Sequence, residues 1–334
     1  MSTREPLIAE KVSRTFAGNI AVNAVDLDLE PGKITSLIGH SGSGKTTLLR
    51  LFAGMERPDS GRILSGAAEL SGPTKHVPIE KRKIGLVFQD FALFPHLSVR
   101  ENVSFGLQHL KSDDRKQCAE QWIERLGLTH RIGAYPHQLS GGEQQRTAIA
   151  RALAPEPVAI LMDEPFSGLD PAMRDQVRDA ALEAVRSAGI PSLLVTHDAK
   201  EAMVHSDKVA IIDRGKIVQS GTPGMLYKNP VSEIAAKALG PVHRVKRANL
   251  PEDWQKLISA RADLVAYRPE ALQVSAGTGY RVVRNRLAGA VSEIELEGAG
   301  DEPLFAVCQL GSSVQTGDDV SVTINPSLFF DFAG

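Results

Sequence analysis

The stretch GHSGSGKTT, residues 39–47, sets three glycines, two serines, a lysine and two threonines between an apolar run, ITSLI, and an amphipathic one, LLRLFAG. Glycines admit backbone angles that aim successive N–H groups at one anion. A helix that starts directly after them adds its positive end to the same place. Gly39, Ser41, Gly42, Ser43 and Gly44 are therefore candidate phosphate donors. Lys45 can reach the terminal phosphates of a nucleotide, the Thr46 hydroxyl can ligate Mg²⁺, and Thr47 stands near the α-phosphate. The spacing fits the phosphate-binding pattern G-x-x-x-x-G-K-[S/T]. A Gly/Ser-rich turn is the simpler reading. On composition alone the four fixed positions recur in on the order of one chain in a hundred, and a strand before with a helix after lowers that further. Such a loop speaks for a nucleotide without saying what the nucleotide is for.

Two further constellations narrow the chemistry. VAILMDEP reads as an apolar strand that ends in Asp163 and Glu164. Carboxylates at the C-terminal end of such a strand face the crevice where open α/β sheets bind ligands. Asp163 fits an acid that orients Mg²⁺, and Glu164 fits a base that polarises an attacking water. A solvated acidic turn is the commoner explanation of such a pair alone, but not after a phosphate loop. LSGGEQQR places Ser140, Gly141 and Gly142 just before a strong helix, a second cluster of N–H donors about 100 residues from the first. One γ-phosphate does not need both from one chain. A two-fold dimer, with each nucleotide between one subunit's phosphate loop and the other's Ser-Gly-Gly, gives both a use. Ser140 as N-cap with Glu143 three residues on is also a capping box, and both readings can hold together.

These residues need a scaffold. IAVNAVDLDLEPGKITSLIG predicts a strand, a turn at Pro31 and Gly32, and a buried strand. GKTTLLRLFAG predicts a helix with Gly54 as its C-cap, and KIGLVFQD a short strand. SDDRKQCAEQWIERLGL has helical spacing behind Ser112, and GGEQQRTAIARALA is a helix stopped by Pro155. VAILMDEP and PSLLVTHD are buried strands, and KVAIIDRGKIVQSG is a hairpin turning at Arg214 and Gly215. Alternation of strands and helices predicts an α/β sheet covered on both faces. After a last helix in PVSEIAAKAL the texture changes near Gly240 and Pro241. ADLVAYRP, YRVVRNRLAGAVSEIELEG, LFAVCQLG and DDVSVTINPSLFF are strand-like pieces separated by turn signals, which predicts a small β-barrel or sandwich. The expected domains are residues 1–240, with a helical subdomain at about 90–155, and residues 241–334.

Composition excludes several classes. The 334 residues suit two domains, and 42% hydrophobic with 23% charged residues is ordinary for a globular chain. A net charge of -2, from 38 basic and 40 acidic residues, shows no overall excess that would draw nucleic acid or an anionic membrane. Cys118 and Cys308 lie far apart with no metal-like spacing and are expected to be free thiols. The N-terminus has no signal-peptide core, and no run approaches the ~18 apolar residues of a membrane helix.

Taken together, GHSGSGKTT, LSGGEQQR, ILMDEP, SGLD and VTHD stand in the order and spacing of ATP-binding cassette (ABC) ATPases, and the chain resembles that family over roughly residues 5–240. The resemblance implies an α/β phosphate-loop NTPase core with a helical subdomain and an antiparallel β-subdomain, ATP and Mg²⁺ as ligands, and a homodimer. It implies that Phe16 stacks on adenine, although a core Phe is the plainer reading. It implies that Gln89 senses Mg²⁺ and the γ-phosphate, that Asp170 lies in the loop along the dimer interface, and that His197 holds the γ-phosphate and orients Glu164. His40 stands where the family often has Pro. The position is variable, so no loss of activity is expected.

DFALFPHLSVRENVSFGL resembles the stretch that receives a coupling helix of a permease in importers, with Phe91, Leu93, Phe94 and Pro95 as a partly exposed patch. AYRPEAL resembles the start of the accessory (TOBE) barrel of the CUT1/MOI importer class, and NPSLFFDF resembles the C-terminus of iron(III) importer ATPases. The implied protein is the peripheral ATPase subunit of a bacterial importer on the cytoplasmic side of the inner membrane, served indirectly by a substrate-binding protein. Iron(III) is the first expectation for cargo, with polyamine, phosphonate, sugar or another anion as alternatives. A soluble ABC ATPase acting on ribosomes or DNA is the competing class, yet the chain has neither a second cassette nor a long coiled coil. HRVKR and RVVRNR are locally basic without interleaved aromatics, so no nucleic-acid partner is expected. No Asn-Lys-x-Asp motif supports a GTPase.

Overall fold

The computed structural model describes residues 4–297, 302–309 and 314–332. The chain divides into two compact units, Met1–Pro223 and Gly224–Gly334.

The first unit runs β1 (Leu7–Phe16), β2 (Asn19–Leu29), β3 (Ile34–Ile38), α1 (Lys45–Ala53), β4 (Ser60–Ser65), β5 (Ala68–Ser71), β6 (Ile84–Val87), α2 (Val99–Ser104), α3 (Ser112–Arg125), α4 (Gly141–Leu153), β7 (Ala159–Asp163), α5 (Pro171–Ala188), β8 (Ser192–Thr196), α6 (Ala199–His205), β9 (Lys208–Asp213) and β10 (Lys216–Gly221). Its main sheet has the order β10-β9-β3-β8-β7-β6, and a four-stranded antiparallel sheet has the order β2-β1-β4-β5. From β9 to β6 the main sheet is parallel.

The central strands are apolar throughout because both faces are covered. In β7, Ala159 and Leu161 enter one apolar cluster with α1 and the antiparallel sheet, while Ile160 and Met162 enter a second with α4 and α5. β8 repeats the alternation, with Leu193 and Val195 on the first side and Leu194 on the second. This period of two lets a five-residue strand hold two layers at once. The second cluster also takes Val99, Val103, Ala119 and Ile123 of α2 and α3, so the helical subdomain is built from the same core.

The second unit contains α7 (Pro223–Lys228, whose first residue closes the first unit), α8 (Glu233–Ala238), β11 (His243–Lys246), α9 (Glu252–Leu257), β12 (Leu264–Tyr267), β13 (Leu272–Ala288), β14 (Val291–Glu297), β15 (Leu304–Gln309), β16 (Asp319–Ile324) and β17 (Phe329–Phe330). Its strands form two antiparallel sheets, β11-β12-β17 and β15-β14-β13-β16, around one apolar cluster. Long β13 serves two neighbours, pairing with β16 through its first half and with β14 through its second, with a register shift between Ala276 and Tyr280.

The grouping of residues 224–240 has a physical reason. Arg268 is fully buried and donates to the carbonyls of Tyr227 (3.1 Å), Ala236 (3.2 Å) and Pro241 (3.4 Å) while lying 3.7 Å over the Tyr227 ring. The helix in PVSEIAAKAL, expected from sequence at the end of the first domain, is thereby tied to the β domain. Cys118 and Cys308 form no disulfide with one another.

Candidate functional site

The C-terminal ends of the parallel strands collect the predicted residues. β3 runs out at Ile38 into the phosphate loop, β8 at Thr196 into His197, β7 at Asp163 into Glu164, and β6 at Val87 two residues before Gln89. The register aligns Ile38 with Thr196 and Val195 with Asp163, so these ends lie side by side. This is the edge where open α/β sheets bind ligands.

At its two ends, Gly39 and Gly44, the loop at residues 39–44 meets backbone that leaves no room for a side chain. A Cβ on Gly39 would lie 2.2 Å from the Ile212 carbonyl oxygen, and one on Gly44 would lie 2.4 Å from that of Ala21. Gly44, the residue ahead of α1, has φ +109°, which favours glycine. Ser41 and Gly42 are exposed, Thr47 is half-buried, and the Ser43 hydroxyl is buried without a partner among the described residues. Lys45 is folded back, its ammonium donating to the carbonyls of Gly39 (2.8 Å) and His40 (3.0 Å). Burial pushes its pKa down, while the carboxylates of Glu164 and Asp163 pull it up. α1 is held at its other end by Arg82, a buried residue whose guanidinium donates to the Leu51 and Phe52 carbonyls (3.0 and 2.9 Å).

Asp163 is half-buried, and burial raises its pKa; a hydrogen bond with the Thr46 side chain works against that rise. A half-buried carboxylate beside a hydroxyl offers the oxygen donors that a hard divalent cation takes. Among the described residues no three His, Cys, Asp or Glu form a metal cluster, so a cation at Thr46 and Asp163 would draw further ligands from phosphate and water.

Glu164 comes next with φ +44°, its N–H bonded to the Val195 carbonyl (2.9 Å) and its own carbonyl accepting from the Ser167 hydroxyl (2.9 Å). This turn carries the Glu164 carboxylate to 3.1 Å from Nδ1 of His197. The Thr196 hydroxyl accepts the Asp198 N–H (3.0 Å), and Asp198 caps α6. The strand-end acid and the exposed histidine, over 30 residues apart in sequence, thus stand side by side.

Sequence comparison then decides the family. A family model described as ABC transporter matches residues 22–167. The Fe(3+) ions import ATP-binding protein FbpC of Yersinia pestis is 45% identical over 242 residues, 72% of this chain and 68% of the relative. FbpC 2 of Haemophilus influenzae is 37% identical over 311 residues, 88% of this chain and 86% of the relative. The dimeric post-hydrolysis structure of the ATP-binding cassette MJ0796, bound to ADP and Pi, superposes with a TM-score of 0.58 at 28% identity, covering 65% of this chain and 98% of that one.

The chain belongs to the ABC transporter family. It is an ABC ATPase, and its first unit has the phosphate-loop α/β fold that the motifs implied.

In this ABC ATPase, Ser140 caps α4 as expected. Its hydroxyl accepts the Glu143 N–H (3.3 Å), and the Glu143 carboxylate accepts the Ser140 N–H (2.8 Å). Burial works to raise the Glu143 pKa, but the Ser140 N–H, Arg131 and the Ser140 hydroxyl hold it down at about 2. Gly141 and Gly142 face Leu169 and Val177, so the segment LSGGE, the signature of the ABC family, adjoins the loop before α5. Asp170 is exposed, and its carbonyl accepts the Arg174 N–H (2.9 Å). Phe16 ends β1 with its ring partly exposed and the Arg14 guanidinium 4.7 Å from the ring centroid. Arg14 is itself fixed by Glu56 (3.1 Å) and Asp59 (2.8 Å). Gln89 is exposed.

Two contributors carry no sequence motif that marks them. Arg82 braces α1 from a loop outside every motif described above. Arg151 on α4 donates to the carbonyls of Ala92 (2.6 Å) and Phe91 (3.0 Å), both at positive φ, and lies 5.4 Å from the Phe94 ring. A signal for Arg151 was available, since a lone cation on the apolar side of a helix asks for a partner.

Proposed function

We propose that this ABC ATPase is the ATP-hydrolysing subunit of a bacterial importer whose cargo is iron(III). The observation that carries the proposal is that relatives at 41–45% identity bear the name of Fe(3+) import ATP-binding proteins. In this reading the chain works as a homodimer against transmembrane permease subunits, on the cytoplasmic face of the inner membrane, and cargo arrives through a substrate-binding protein. Among the described residues no helix is long and apolar enough to cross a membrane. The half-buried patch of Phe91, Leu93 and Phe94 beside exposed Pro95 and Phe105 is the surface offered to the permease.

In the proposed cycle Phe16 stacks on adenine, and the N–H groups of residues 39–47 cradle the phosphates with Lys45. Thr46, Asp163 and Gln89 would hold Mg²⁺, which when bound neutralises charge on the phosphate oxygens. Glu164 accepts a proton from the attacking water as it bonds to the γ-phosphorus and the bond to the β-phosphate oxygen breaks. His197, 3.1 Å from the Glu164 carboxylate, keeps it aimed. Ser140, Gly141 and Gly142 of the second copy, with Asp170 along the interface, close the site, which explains why one chain carries two donor clusters.

The test is uptake by a strain lacking the gene, complemented with the native chain or with Glu164→Gln. The native chain is expected to restore uptake of radiolabelled iron(III), and Glu164→Gln to restore less than about 1% of it. Restored uptake of a polyamine or phosphonate, with iron(III) uptake unaltered, would overturn the cargo. Full uptake with Glu164→Gln would overturn the base.

A further inference from the structure

The His40 ring lies between two oxygens. Its Nδ1 is 2.6 Å from the Ser41 carbonyl oxygen, and its Nε2 is 2.8 Å from Oδ1 of Asp213. A carbonyl oxygen only accepts, so Nδ1 carries the hydrogen of the first bond. An ionised carboxylate only accepts, so Nε2 carries that of the second. The ring is therefore engaged at both nitrogens. The charged groups around it are Asp213 itself, Arg214, whose Nε is 4.0 Å from the Asp213 carboxylate, and Lys45, whose ammonium donates to the His40 carbonyl.

Asp213 is the last residue of β9, and the turn after it is the floor of the phosphate loop. The Gly215 N–H donates to the Ser43 carbonyl (2.9 Å), and the Asn23 N–H donates to the Gly215 carbonyl (2.8 Å). Gly39 packs on the Ile212 carbonyl, and Gly44 and Gly215 both pack on that of Ala21, without space for a Cβ. Backbone therefore meets backbone along this seam, and the His40–Asp213 bond is a side-chain strut across it.

The strut matters because of what Lys45 does. Its ammonium now bonds the carbonyls of Gly39 and His40. To reach a nucleotide's phosphates it must leave both, which releases the segment that sets the loop's shape. His40 holds that segment from the outside, independently of Lys45. Proline, common at this place in the family, restrains the backbone through its own ring and needs no partner. A histidine achieves the same only with an acceptor such as Asp213.

We propose that His40 is a positioning residue for ATP hydrolysis: with Asp213 it fixes the phosphate loop on the turn at residues 212–215, so that the loop keeps its shape when Lys45 turns to the nucleotide. The inference rests on residues 39–47 being the ATP phosphate site.

The experiment is steady-state hydrolysis by the full chain with Mg²⁺ and ATP at neutral pH. It compares the native protein with His40→Ala, His40→Pro, Asp213→Ala and the double His40→Ala/Asp213→Ala, with Lys45→Ala as a reference for the site. His40→Ala and Asp213→Ala are each expected to raise KM for ATP about threefold to tenfold with a smaller change in kcat. The double variant is expected to be no worse than either, and His40→Pro to restore the native KM. Unchanged KM in His40→Ala, or penalties that add in the double variant, would overturn the inference. If Lys45→Ala abolishes hydrolysis while His40→Ala is silent, the strut alone fails. If Lys45→Ala turns over normally, the strut and the phosphate-site reading fail together.

Discussion

Glu164 illustrates how a single residue's backbone sets its chemistry. At φ +44° its side chain leaves the strand direction and meets His197, whereas Asp163 one position earlier stays against Thr46. Adjacent carboxylates thus receive different neighbours, as the different tasks proposed for them require. The phosphate loop, Asp163 and Glu164 were legible because their spacing is itself the requirement. The His197 pairing was legible only through family resemblance, since a histidine after a strand has no spacing rule of its own. The His40–Asp213 bond was not legible, because 173 residues separate its ends and only strand order brings them together. Glu143 supports a prediction at this scale. Its folded pKa, about 2, lies below the ordinary carboxylate value, so the ionised form stabilises the native state. That stability is complete above the unfolded pKa, near about 4.3, and is lost as pH falls toward about 2. Glu143→Ala is expected to cost ~1–2 kcal/mol at neutral pH and much less at the acid end. Denaturant unfolding at the two pH values measures it, and an equal loss at both would contradict the capping role.

Among the elements, α4 does the most joining. Its N-terminus presents the signature, its Glu143 takes Arg131, and its Arg151 reaches back to hold the segment after Gln89. Phe91 and Ala92, at φ +62° and +45°, sit in a conformation that side chains disfavour, and two charged hydrogen bonds from Arg151 offset the strain. Arg151→Ala is expected to leave ATP affinity within about twofold and to reduce hydrolysis at least about fivefold. Equilibrium binding with a fluorescent ATP analogue, beside turnover, separates the two; unchanged turnover would remove α4 from the link. Most elements were readable: the hairpin β9–β10 turns at Arg214 and Gly215, and Gly54 caps α1 at φ +83°. α5 is missing from the elements expected from sequence, although its signals are present. Pro171 opens it, and Val177, Ala181, Leu182 and Val185 make a buried stripe at helical spacing. SGLD, a loop by nature, gives no hint of the long helix that begins directly after Asp170.

At the scale of the whole molecule, one chain carries half of each proposed catalytic centre. Ser140→Arg puts a large cation where a second copy's γ-phosphate is proposed to sit. ATP binding to the phosphate loop is expected to persist within about threefold, while hydrolysis falls by at least about a hundredfold. Binding titration, turnover and sedimentation in the presence of ATP check the three parts, and native turnover would refute the shared site. The α/β class and the all-β C-terminal region were visible from alternation and turn spacing. The place where one compact unit gives way to the other was not, because α7 and α8 look like any helices packed behind an α/β sheet. What assigns them is Arg268, and nothing local to residues 224–240 announces an arginine waiting beyond them.

Arg268 has a consequence for how such chains can be recombined. Its guanidinium spends its donors on carbonyls of residues 227, 236 and 241. A chimaera joined at residue 240, where composition shifts, would pair one parent's helices with another parent's arginine and ask two unrelated surfaces to match around a buried cation. A join at residues 222–224 keeps donor and acceptors from a single parent. Exchange of the accessory unit between transport systems is therefore easiest at a seam that the texture of the sequence does not mark.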